Sequence, residues 1–138
     1  MTVSVATGGL VLAADINDLQ DQIDNIAGGQ GFAFGIAGNA YVATKIQSIV
    51  LPKDVTFSKI WAYADTAPTG ADMNIDVNLN GVSIITGTLA IAASANAANT
   101  TTLATTAGSE GDRLSWDVDQ IGSTVAGGSN LMVTIEID

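Results

Sequence analysis

The chain has 138 residues, 47% hydrophobic and only 13% charged, and its four Lys and Arg stand against fourteen Asp and Glu for a formal charge of −10. That length fits one domain with a short appendage, and so acidic a chain lacks the clustered cations that nucleic acids and anionic membranes require. With no His and no Cys, it cannot build a Ser-His-Asp or Cys-His nucleophile, a His- or thiolate-ligated zinc site, or a disulfide.

Residues 1–14 (MTVSVATGGLVLAA) form an apolar arm with a Gly8-Gly9 hinge. No basic segment leading into a long apolar stretch opens the chain, so no signal peptide is expected. Nor does any run of about 18 apolar residues suggest a membrane span. The arm side chains Val3, Val5, Leu10, Val11 and Leu12 are candidate attachment residues. They suit a groove or an open sheet edge on a partner, or an edge of the chain's own sheet.

The next stretch, DINDLQDQIDNIAGG, predicts a short α-helix. Asp15 is placed to cap it and Asp18 lies in its first turn, where negative charge suits the helix dipole. Ile16, Leu19, Ile23 and Ile26 are spaced three, four and three apart, an a/d seam over two heptads. Gly28-Gly29 supplies the stop. A helix of about 12 residues is about 18 Å long and marginal alone in water, so its stripe needs a partner. That partner is either the chain's own β domain or further copies of the chain, with Ile at the a positions leaning toward a trimer. Residues 1–30 are thus expected to serve attachment and oligomerisation, and residues 31–138 to form the folded domain.

From Gly31 the pattern turns to strands. GFAFGIA, AYVATKIQSIVLP and VTFSKIWAYAD read as the first three, the second ended by Pro52. DMNIDVNLN alternates, with Met73, Ile75, Val77 and Leu79 on one face and Asp72, Asn74, Asp76 and Asn78 on the other, as in a half-buried strand. Asn80-Gly81 is a strong two-residue hairpin signal, and VSIITGTLAI returns. Residues 92–109 are low in complexity and read as a loop with an edge strand around Thr101 to Thr106. DRLSWDVD aligns Leu114, Trp116 and Val118, and LMVTIEI aligns Leu131, Val133, Ile135 and Ile137. These spacings predict a mainly β protein, an antiparallel β-sandwich of jelly-roll-like form with a short N-terminal helix.

Two polar or aromatic sets invite a chemical reading. Asp72, Asn74, Asp76 and Asn78 on one strand face, helped by Asp117 or Asp119, could collect calcium. An EF-hand needs Gly at its sixth position, where Val77 stands, and a solvated strand face explains the set without a metal. Trp61, Tyr63 and Trp116 could stack a sugar, but straight alternation places Trp61 and Tyr63 with Val55 and Phe57, and Trp116 with Leu114 and Val118, as core. A carboxylate pair could serve a glycosidase, yet solvated helix and strand positions account for the acids. No cofactor and no catalytic residue is expected.

FSKIWAYADTAPTGADMNIDVNLNGVSII, followed by EGDRLSWDVDQIGSTVAGGSNLMVTIEI, resembles a module of tailed-bacteriophage virion proteins. The resemblance covers about residues 56–138, and VLAADINDLQDQI is similar to segments that precede fibre and decoration domains. It implies a non-enzymatic structural protein on the particle surface, a capsid decoration (cement) or head-fibre protein. Such a protein would be a homo-oligomer, most simply a trimer, bound to the major capsid protein or another virion protein. A tail-fibre, baseplate or adhesin subunit binding a host glycan is the alternative, and a small hydrolase the third reading.

Overall fold

The structure, a computed structural model, describes residues 31–122 and 127–138. The arm residues Val3, Val5, Leu10, Val11 and Leu12, the helix seam Ile16, Leu19, Ile23 and Ile26, and the expected division at residue 30 all lie outside the described residues.

Ten strands follow in order: β1 (Gly31–Gly35), β2 (Ala43–Val50), β3 (Val55–Thr66), β4 (Met73–Leu79), β5 (Val82–Ser83), β6 (Leu89–Ile91), β7 (Ala97–Thr100), β8 (Ala107–Gly108), β9 (Arg113–Gln120) and β10 (Ser129–Ile137). They form two antiparallel sheets. The first runs β1-β10-β3-β7, with β8 also on β3; the second runs β2-β9-β4-β5, with β6 also on β4. Because β9 occupies one edge of β4, β5 and β6 share the other, at Leu79 and Asn78 and then at Ile75 to Met73. In the same way β7 and β8 share the edge of β3 that β10 leaves open.

Alternation makes the core. Met73, Ile75 and Val77 from β4 and Leu114, Trp116 and Val118 from β9 face Ile60, Ala62 and Ala64 from β3 and Leu131, Val133 and Ile135 from β10, all buried. The expected inward sets of β4, β9 and β10 are therefore found, though Leu79 is only half-buried. Phe34 of β1 stacks on Trp116 of β9 with ring centroids 6.4 Å apart, so the sheets pack face to face. At the sandwich margin the Gln47 Oε1 accepts hydrogen bonds from the Gly35 N–H and from the Trp116 indole N–H. The hairpin at Asn80-Gly81 also forms as read: φ is +52° and +86° at the two residues, and Leu79 pairs with Val82.

Two expectations need correction. Trp61 and Tyr63 are not core, being 39% and 42% exposed. Glu136 pairs with Lys59, but Ile137 pairs with Phe57, so Ser58 is an extra residue on β3. This bulge reverses the alternation: Val55 and Phe57 point inward before it, and Ile60, Ala62 and Ala64 after it. The second correction concerns the low-complexity stretch. Its strands are Ala97–Thr100 and Ala107–Gly108, flanking the span around Thr101 to Thr106 where the sequence suggests the edge strand. Thr100 Oγ1 takes the Thr102 N–H, bending the chain away from β3. Thr102 and Ala104 then bond across to Thr86 and Ile84, leaving only the Ile85–Leu103 bridge.

Candidate functional site

The bulge in β3 sets which aromatic residues this sheet presents to solvent. Past Ser58, the outward residues of β3 are Trp61 and Tyr63. In the ladder, Trp61 lies between Thr134 of β10 and Asn99 of β7, and Tyr63 between Met132 and Ala97. Beyond them Ala33 and Gly35 of β1 continue the two rows. Trp61, Tyr63 and Met132, the last 50% exposed, form an apolar strip, and the neighbouring Ala and Gly leave it flat. Trp61 is fixed within it. The Lys59 ammonium sits 3.8 Å from its ring centroid, a cation–π contact, and its indole N–H donates to the Glu136 carboxylate at 3.1 Å. A rigid aromatic surface with polar margins can stack on a sugar ring or seat a protein partner. The three-aromatic platform read from the sequence is divided, because Trp116 is fully buried on the opposite sheet.

The outer face of the second sheet is polar. The acidic set read as a possible calcium row is used in hydrogen bonds within the chain. Asp72 precedes β4 and accepts the Ala93 N–H. Asp76 accepts the Val77 N–H and the Ser83 hydroxyl. Asn78 is buried and donates to Asp117 Oδ2 at 2.8 Å, while Asp117 Oδ1 accepts the Lys45 N–H at 2.7 Å. Asp76 and Asp117 face each other across the β4–β9 ladder. Burial, and then the charges of Asp76 and Asp117, push the Asp119 carboxyl above its ordinary value of 3.8. Among the described residues no group of three or more acidic side chains is arranged to hold a metal ion.

A third feature carried no signal in the sequence. Lys45, Ser48, Asn80, Gly81, Arg113 and Ser115 line a cavity of about 60 Å³ on this polar face. Its residues are spread over 71 positions, from 45 to 115, and only the sheet pairing gathers them.

No protein-family profile and no characterised protein matches the chain. Among solved structures, that of infectious bursal disease virus Gx strain is similar at a TM-score of 0.31 and 12% identity, covering 79% of this chain and 32% of that one. The chain thus spans about a third of that protein's length, and a likeness at this TM-score decides neither fold nor function.

Proposed function

We propose that this chain is a non-enzymatic structural protein of a tailed-phage particle, a capsid decoration or head-fibre protein that displays its sandwich outward. The observation that carries the reading is the strand order. Counting β5 with β6 and β7 with β8, as halves of single edge strands, leaves eight positions ordered 1-8-3-6 and 2-7-4-5. That is the double Greek key of a jelly roll, an architecture shared by virus capsid and lectin domains. Fold alone does not fix function. The phage assignment rests further on the resemblance carried by residues 56–138, and the non-enzymatic reading on a sequence without His or Cys. In this reading residues 1–30 provide attachment to the major capsid protein or another virion protein, and the Ile16, Leu19, Ile23, Ile26 seam gathers copies into a trimer.

A density map of intact particles with a count of copies tests the reading. Hundreds of copies on the head support decoration, and absence from purified particles overturns it. A few copies or tens at the tail would favour the second reading, a fibre or adhesin subunit that binds a host glycan. The exposed Trp61–Tyr63–Met132 strip is the observation on its side.

A further inference from the structure

We infer that the cavity between Lys45, Arg113 and Ser115 on the polar sheet face binds the carboxylate of an acidic sugar. The inference goes beyond the structural role proposed above and does not depend on where the chain resides.

Charge is the first ground. The chain has four basic residues against fourteen acidic ones, yet two of the four line this one cavity. Among the described residues neither the Lys45 ammonium nor the Arg113 guanidinium is paired with a carboxylate. Both are exposed side chains, and in a chain so rich in acids, two cations lining one hollow favour an anion supplied from outside.

The second ground is Ser115. It is 5% exposed, and its hydroxyl has no hydrogen-bond partner among the described residues. Buried hydroxyls are normally satisfied. Ser115 lies between Ser48 of β2 and Asn78 of β4 in the ladder and lines the cavity, so a bound oxygen would complete it.

The third is backbone strain. Lys45 has φ +50°, a left-handed conformation uncommon outside Gly, Asn and Asp. Asp117 holds it there through the Lys45 N–H, and the β2–β9 register breaks between Ala43 and Gln47 around it. Strain held in place by surrounding structure tends to gather at binding sites.

Size and surroundings select the ligand. The hollow is small, about 60 Å³, so a carboxylate enters it and the larger ring that carries it stays on the open face. Arg and Lys are the natural partners of a carboxylate. Beyond the cavity the face continues in Asn78, Ser83, Asp76 and Asp117; the two carboxylates accept bonds within the chain and keep further lone pairs for sugar hydroxyls. A hydroxyl-bearing sugar ring matches that surface better than a peptide, which would call for an apolar or backbone-pairing one.

Backbone-amide NMR of the full chain tests this, with D-galacturonate, D-galactose and acetate each titrated against sodium chloride at equal ionic strength. The expected result is saturable shifts for galacturonate at the amides of Lys45, Gly81, Arg113 and Ser115. Galactose and acetate should bind more than about fivefold weaker. Arg113→Gln should weaken galacturonate about tenfold, as loss of a charge-assisted hydrogen bond implies, and keep the dispersed spectrum of the folded domain. If that variant does not fold, Arg113→Lys, which keeps the charge and loses the planar fork, should still weaken binding several-fold. Absence of saturable shifts, shifts centred elsewhere, or unchanged binding by the Arg113 variant overturns the inference. So does acetate or galactose binding within about fivefold of galacturonate: acetate would mark a plain carboxylate site such as an acidic protein partner would use.

Discussion

Trp116 is held from both sheets at once, by the Phe34 ring and by the Gln47 carbonyl oxygen that also takes the Gly35 N–H. Truncating it leaves a cavity and removes one of the two hydrogen bonds to the Gln47 oxygen, so Trp116→Ala should cost about 3–5 kcal/mol in urea unfolding. Trp61→Ala, on the exposed strip, should cost less than about 1 kcal/mol. Equal losses for the two would contradict the placement of Trp61 outside the core. Gly81, at φ +86° with open space around it, can accept a side chain only at the cost of strain. Gly81→Val should therefore lower stability by about 1 kcal/mol or more in the same assay. Two carboxyls set opposite pH trends. Hydrogen bonds from the Asn80 amide and then the Ser109 N–H hold Asp112 below the ordinary 3.8, against burial. Its stabilising contribution is complete above 3.8 and disappears as the pH falls through its lower folded value. Asp119 is raised, so its ionised form weakens the fold above its folded value, and protonation relieves this as the pH falls. Melting temperatures measured from about pH 3 to 7 should therefore rise for Asp119→Asn and fall for Asp112→Asn at neutral pH, both differences closing at the acid end. Trp116 was legible in the sequence because Leu114 and Val118 keep its phase, whereas Trp61 was not, because the phase changes three residues before it.

That phase change belongs to β3 as an element. One additional residue, Ser58, lets a single twelve-residue strand bury Val55 and Phe57 at one end and Ile60, Ala62 and Ala64 at the other. Removing Ser58 would bring Phe57, Lys59 and Ile60 into plain alternation and let Ile137 and Glu136 pair with Phe57 and Lys59 without a break. The Ser58 deletion should thus fold with a cooperative melt and keep Trp61 solvent-exposed in fluorescence. Deleting Ala62 instead throws Ala64 outward and should abolish cooperative unfolding. Survival of the second deletion but not the first would refute this account of the bulge. Strands with clean period-2 patterns, β4, β9 and β10, could be read from the sequence. So could the Asn80-Gly81 turn, whose two residues tolerate positive φ. The edge strands β7 and β8 could not. Small Ala, Asn and Thr side chains carry little periodic signal, and it is the Thr100 hydroxyl and bonding to Ile84 and Thr86 that place this segment.

For the whole molecule, the sandwich class follows from local patterns, but the strand order does not, because each sheet joins strands distant in sequence, such as β1 with β10 and β2 with β9. The cavity around Lys45 and Arg113 was hidden for the same reason: its two cations are neighbours only through that pairing. Oligomerisation is testable directly. Light scattering should give a multiple of the 13.9 kDa chain mass, most simply three. Ile23→Asp should return it to one while leaving the melting temperature of the β domain unchanged, and a monomeric wild-type chain would remove the seam from consideration. The interrupted margins of the sheets have a consequence of their own. β5 and β6 are separated by residues 84–88, β7 and β8 by residues 101–106, and β2 loses register around Lys45. An incoming chain therefore meets no long unbroken rim there. The intact margin strand, β1, has five residues and begins and ends in glycine. Amyloid growth needs a continuous template, so the sheet margins of the described residues offer a fibril little to extend.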